Sequence, residues 1–302
     1  MRQVCVAMNT SPDTITLRAG CKVNLYLEIT GRLDNGYHTL KTLFYPLPTP
    51  HDTLTLTFGK QGGEFTLSAG DPELESDSNT IAKAWKVFTE QTGFAPGLSV
   101  KLDKGIPMGA GLGGGSADAA AVLRELNTRA GDKALPPDQL NELAASIGAD
   151  VPFFLLDGPA WAEGIGEELH PVNVDLQGLS LVLICPPMHV SSAWAYHAWD
   201  KLKTKRPHRV ENTLGFLTCA QTEFKNSPRS RILLHNSFED VVFPKHHKLL
   251  RYKEKLLAQG ACGAVLSGSG ASLLGLFRDS RIAEAARIEF KKQGIPAHLH
   301  CL

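Results

Sequence analysis

Between Cys21 and Ile29 the chain alternates strictly: Cys21, Val23, Leu25, Leu27 and Ile29 are apolar, and Lys22, Asn24, Tyr26 and Glu28 fall between them. A period of two predicts a half-buried strand. It places Lys22 and Asn24 together on the face turned from the core, where a solvated surface is the simpler reading. Leu54, Leu56 and Phe58 alternate with threonines and predict a second strand. Phe65 with Leu67, and Leu98, Val100 and Leu102, predict two more. A helix is expected from about Asn79 to Gln91, with Asp77, Ser78 or Asn79 as its cap. Pro136-Pro137-Asp138 opens another helix, which Gly148 ends.

From Leu179 onward the pattern changes. A strand is expected over Ser180–Cys185, helices over Ser191–Leu202 and His246–Ala258, and two strands over Gly263–Leu266 and Ser272–Phe277. A helix over Arg281–Gln293 and a short strand over Ala297–Cys301 close the chain. Strand, helix, strand, strand, helix, strand is the split βαβ order. The basic run Lys201–Arg209 fits a solvated helix end and loop. The whole predicts an α+β chain of two domains, residues 1–175 and 176–302.

One stretch matches neither period: Pro107-Met108-Gly109-Ala110-Gly111-Leu112-Gly113-Gly114-Gly115-Ser116-Ala117, followed by an alanine-rich helix. Bare amides feeding a helix start, which carries a partial positive charge, form an anion site that suits phosphate. A flexible linker would not be flanked by Ile106-Pro107 and a helix. The spacing also fits G-x-G-x-x-G, but a helix rather than a strand follows, which is not the dinucleotide arrangement. No Lys-Ser or Lys-Thr follows the last glycine, so it is not a Walker A loop.

Composition adds bounds. The 302 residues carry 31 basic and 31 acidic side chains, which argues against a broad nucleic-acid or membrane footprint. The six cysteines lack C-x-x-C spacing, and no apolar run reaches transmembrane length. The first residues lack a signal-peptide layout, so a reduced, cytoplasmic protein is expected. Further candidates lie in loops. Tyr37 and His38 follow the Asn35-Gly36 turn and suit packing or the binding of a flat heterocycle. Asp150, among small and apolar neighbours, is a turn residue or a base. Ser267-Gly268-Ser269-Gly270 is a tight hairpin with exposed amides.

Taken in order, Lys22-Val23-Asn24-Leu25, the Pro107–Ser116 loop and the Ser-Gly-Ser-Gly turn resemble the three motifs of the GHMP kinases. Gly36-Tyr37-His38 and Gly148-Ala149-Asp150-Val151-Pro152-Phe153 narrow the resemblance to a branch whose acceptor is an alcohol carrying cytidine diphosphate. Cys21 stands where that branch has alanine, Asn35 is added before Gly36, and Asn236-Ser237-Phe238-Glu239 replaces Asn-Asp-x-Glu.

The resemblance implies a two-domain kinase fold, ATP as co-substrate and Mg²⁺ as its companion. It implies Asp150 as base and Lys22 as its partner, with the loop from Pro107 to Ala117 on the phosphates and Asn79 near the adenine. It also implies Asn24 on the acceptor chain, Tyr37 and His38 on the cytosine, and Gly268, Ser269 and Gly270 closing over the acceptor. Tyr196, or alternatively Trp194, would supply the opposite stacking face. No nucleic acid, membrane partner or protein metal ligand is implied. Rival readings are a GHMP kinase for homoserine, mevalonate or a sugar, a non-catalytic nucleotide-binding regulator, and a dinucleotide reductase.

Overall fold

A computed structural model describes residues 13–203 and 234–302. Most of the basic run Lys201–Arg209 lies outside these residues, as does the N-terminal segment up to Pro12.

The N-terminal half is built on two long antiparallel strands, β1 (Asp13–Arg32) and β2 (His38–Gln61). Their pairing shifts register at Ala19/Cys21, Asn24/Tyr26 and Ile29/Gly31, so the ribbon bends as it crosses the molecule. The far end of β2 pairs with β4 (Pro96–Asp103), which in turn carries the parallel β3 (Phe65–Ser68). The near end pairs with β5 (Ala160–Glu163), which carries β6 (Glu168–Pro171). Beyond the N-terminal half, β8 (His235–Asn236) returns to pair in parallel with β1.

Three helices pack on this sheet. Asn79 caps α1 (Thr80–Thr92), its side chain accepting from the Ile81 amide at 2.8 Å. The glycine run ends in α2 (Gly114–Arg129), and Pro137 starts α3 (Pro137–Ile147). Ile81, Phe88, Val122, Leu123 and Leu126 meet Leu54, Leu56, Leu98 and Val100 in one core.

The C-terminal half is β7 (Ser180–Ile184), α4 (Ser192–Lys203), then, after β8, α5 (Glu239–Lys245), α6 (His247–Ala258), β9 (Gly263–Leu266), β10 (Leu273–Phe277), α7 (Ser280–Lys292) and β11 (Ala297–Cys301). Its sheet runs β11-β7-β10-β9 with every pair antiparallel. That is the expected split βαβ order, and the fold is the two-part α+β architecture the motifs implied.

The two halves share apolar cores. Leu27, Ile29 and Leu40 cluster with Val182, Phe238 and Leu266. Val23, Leu25 and Leu43 cluster with Leu181, Leu183, Val265 and Leu274. This corrects the reading of Cys21–Ile29 as a half-buried strand. From Cys21 to Leu27 every residue is buried, with Lys22 5 % and Asn24 1 % exposed, because β1 is sandwiched between the two halves. Alternation identified the strand but not what covers its polar face.

Candidate active site

A cleft of about 580 Å³ runs between the glycine loop, β1 and the turn after β9. Every residue from Pro107 to Ser116 lines it. The loop holds its shape through contacts at both ends. Gly113, with φ of +72°, serves as the residue before α2, and the Lys22 amide donates to the Leu112 carbonyl at 3.0 Å. Ala117 is the exception among the expected loop residues: it is buried in the core, and its amide donates to the Gly113 carbonyl at 2.9 Å. Asn79 lines the cleft as well as capping α1, and its amide nitrogen donates to the Leu74 carbonyl at 2.7 Å.

Lys22 lies on the cleft floor. Its Nζ is 3.5 Å from Asp150 Oδ2, donates to Asn24 Oδ1 at 2.9 Å, and sits 4.6 Å from the centre of the Phe44 ring. Asp150 stands in the turn after α3, held by the buried Val151 and Phe153 that follow it, and is a third exposed. Asn24 is deeply tied. Its Oδ1 also accepts from the Gly268 amide at 3.0 Å, and its Nδ2 donates to Thr42 Oγ1 at 2.7 Å, leaving one amide hydrogen uncommitted among the described residues.

The turn Ser267–Gly270 is clasped to the glycine loop. Ser267 Oγ donates to the Gly111 carbonyl at 3.1 Å and accepts from the Asn24 amide at 3.3 Å, while the Ser272 amide donates to the Ala110 carbonyl at 3.2 Å. The approach is so close that a Cβ on Gly111, whose φ is +75°, would lie 2.1 Å from the Ser267 carbonyl oxygen. Gly268 and Ser269 line the cleft, and Gly270 closes the turn behind them with its amide on the Ser267 carbonyl. Asn236 secures the turn from below, donating to the Leu266 and Gly268 carbonyls at 2.7 and 2.8 Å.

A second cavity, of about 540 Å³, opens beside the first, and Asp150, Tyr196 and Leu40 line both. Tyr37 and His38 lie on its wall. The His38 ring stacks on Tyr196 with centroids 4.6 Å apart and planes at 18°, and Tyr37 is 60 % exposed at the mouth. Burial, with a further contribution from the Asp150 charge, pushes the Tyr196 hydroxyl up to about 12. Tyr196 thus lines both cavities, with Phe44 and Phe238 also on the first and Tyr37 on the second. Trp194 lines neither cavity and instead meets His246 edge-on, beneath Lys245.

Sequence reasoning missed a charged cluster beneath the loop. Asp52 is fully buried. Its Oδ1 accepts from the Gly105 and Ile106 amides at 2.7 and 2.8 Å, and its Oδ2 pairs with Lys104. Lys104 also reaches Asp118 Oδ2 at 3.1 Å, tying α2 to the segment that enters the loop. Burial, reinforced by the Asp52 charge and opposed by Lys104, pushes the Asp118 carboxyl up to about 7, and its Oδ1 has no hydrogen-bond partner among the described residues. The available signal was a carboxylate within the buried face Ala117–Val122. Among the described residues no group of three His, Cys, Asp or Glu side chains converges as a metal cage. No helix among them is long and apolar enough to cross a membrane.

Comparison with known proteins places this geometry in a family. The model of the GHMP kinases N-terminal domain matches residues 79–158, and that of the GHMP kinases C-terminal domain matches residues 225–295. The 4-diphosphocytidyl-2-C-methyl-D-erythritol kinase of Oleidesulfovibrio alaskensis is 44 % identical over 323 residues, covering 95 % of this chain and 98 % of the relative. That of Nitratidesulfovibrio vulgaris is 47 % identical over 290 residues, covering 96 % and 99 %. A crystal structure of a 4-(cytidine 5'-diphospho)-2C-methyl-D-erythritol kinase superposes with a TM-score of 0.76 at 31 % identity, covering 94 % of this chain and 98 % of that one. A homoserine kinase from Cytophaga hutchinsonii shares the fold, with a TM-score of 0.67 at 20 % identity and coverage of 98 % and 96 %.

Proposed function

Since the chain belongs to the GHMP kinase family, we propose that it moves the γ-phosphoryl group of ATP to the 2-hydroxyl of 4-diphosphocytidyl-2-C-methyl-D-erythritol. The observation that carries the reading is the Lys22–Asp150 pair, 3.5 Å apart, with Asp150 on the wall common to the cleft lined by the glycine loop and a second, aromatic-walled cavity. Phosphoryl transfer needs positioning and charge stabilisation more than covalent chemistry. The loop amides from Gly109 to Gly115 and the α2 N-terminus hold the triphosphate. Its terminal group then faces the acceptor hydroxyl at the lysine–aspartate pair.

Asp150 takes the hydroxyl proton as the O–H bond breaks. The freed oxygen bonds to the γ-phosphorus, and the bond to the β-phosphate oxygen breaks to release ADP. Lys22 steadies the developing negative charge on that oxygen. Asn24 fixes the Lys22 ammonium and the Gly268 amide, and its remaining hydrogen meets the acceptor chain. The cytosine enters the second cavity between Tyr37 and Tyr196, with its edge on His38. Asn79 borders the adenine. In this division residues 1–175 hold the nucleotide, and residues 176–302 close the acceptor side with Gly268, Ser269 and Gly270.

Catalysis in this family uses ATP with Mg²⁺. Ser116, which lines the cleft at the start of α2, would be the protein hydroxyl beside a metal carried on the phosphates. When bound, the ion would supply charge neutralisation at the phosphates.

A coupled ADP-release assay tests the assignment. The cytidine diphosphate alcohol is turned over, whereas homoserine, mevalonate and galactose are not. Turnover of one of the latter, with the former inert, would overturn the reading.

A further inference from the structure

Two charged side chains on the wall of the second cavity, Asp200 and Arg32, have no part in the mechanism above. Asp200, on α4, places Oδ1 2.7 Å from His38 Nε2 and Oδ2 3.3 Å from Arg32 Nη1. The imidazole is otherwise enclosed. Tyr196 covers one face, Trp199 meets it edge-on at 5.9 Å between centroids, and 6 % of the side chain is exposed. Among the described residues no hydrogen bond engages the other ring nitrogen, Nδ1, and His38 lines the cavity.

An ionised carboxylate accepts hydrogen bonds and has none to give. Facing Asp200, Nε2 therefore carries the ring hydrogen, and in the neutral imidazole Nδ1 presents a lone pair. Arg32 occupies the second carboxylate oxygen and so fixes the direction from which Asp200 meets the ring. The stack on Tyr196 fixes the ring plane. The outcome is a single acceptor of set position and direction at an aromatic-walled cavity.

We infer that Asp200 is a positioning residue that makes His38 select an amino-bearing pyrimidine over its carbonyl-bearing counterpart. The inference rests on the reading that this cavity takes the acceptor's base. Cytosine carries an N–H donor at C4, and uracil carries a carbonyl oxygen there. Against the Nδ1 lone pair the first gains a hydrogen bond, and the second sets two acceptors face to face. A base held edge-on to His38 also shares the imidazole plane, within 18° of the Tyr196 ring, so it extends the existing stack.

The test compares the full-length protein with Asp200→Asn, Asp200→Ala and Asp200→Glu on acceptors that differ only in carrying cytidine or uridine diphosphate. The wild type prefers the cytidine form. In the Asn and Ala variants the ratio of kcat/KM values falls about tenfold or more, through KM of the cytidine acceptor, and the Glu variant recovers part of it. Nitrogen-15 spectra of His38 show the Nε2–H tautomer in the wild type and a mixture in the Asn and Ala variants. A wild type without base preference would overturn the assignment of the cavity itself, and this inference with it. A wild type that discriminates, alongside folded Asn and Ala variants that keep both its ratio and its tautomer, would overturn the role of Asp200 alone. Equal loss on both acceptors with the ratio unchanged has the same meaning.

Discussion

Asp150 and Lys22 show how little of a residue's role lies in its own identity. Asp150 is partly open to the cleft and so available to a hydroxyl, whereas Lys22 is buried and held by Asn24 on one side and the Phe44 ring on another. Replacing Asp150 with Asn keeps the shape and removes the proposed proton acceptor. Turnover should fall at least about a hundredfold while the affinity for an ATP analogue stays within about twofold, measured by steady-state kinetics and calorimetry. Near-normal turnover would remove Asp150 from the role of base. His300 on β11, which lines neither cavity, is buried with Nε2 unpartnered among the described residues, and burial, with a smaller contribution from His298, depresses its pKa to about 4. The unfolded chain therefore binds a proton that the native state refuses as pH falls from about 6.5 towards 4, and stability is lost across that window. His300→Gln should lessen the loss by at most about 3 kcal/mol, read as the difference in urea midpoint between pH 4.5 and 7. An unchanged slope would assign the acid sensitivity to other groups.

At the scale of elements, the glycine loop works because a hairpin from the far end of the chain closes on it. Gly111→Ala forces a side chain into the Ser267 carbonyl and a left-handed backbone onto alanine. It should cost about 2 kcal/mol or more in thermal unfolding and raise KM for ATP well above any effect on KM for the acceptor. A variant with wild-type stability and ATP affinity would show that the clasp is dispensable. The elements themselves were unevenly legible. β7, β9, β10 and β11 stood out because short apolar runs between turn residues have few alternatives. The first half of β1 and most of β2 did not. Gly20 and Pro46, Pro48 and Pro50 argue against strand locally, and only the pairing of Cys21 with Leu47 and of Lys22 with Pro46 overrides them. The glycine loop, Lys22, Asp150, Tyr37 and His38 were legible as motifs. The Asp52–Lys104–Asp118 cluster and Asp200 were not, since their partners lie 14 to 162 residues away and only the fold brings them together.

For the molecule as a whole, the shared cores matter more than the two-part outline. With β1 residues packed among side chains of β7, β9 and β10, neither half can shed the other without exposing apolar surface. Scanning calorimetry should therefore record one transition, and an ATP analogue at about a hundred times its Kd should stabilise the entire chain by about 2.7 kcal/mol. Two resolved transitions, with the ligand moving one of them, would instead mean that the halves melt separately. The same outline has a pharmacological corollary. In the proposed reading the nucleotide and the alcohol occupy two neighbouring cavities whose shared wall is Leu40, Asp150 and Tyr196. A tethered molecule joining an adenosine polyphosphate to a cytidine through a short bridge past Asp150 should gain affinity over either half alone. Most of its discrimination against other phosphate-binding kinases should reside in the end that enters the chamber of Tyr37, His38 and Tyr196.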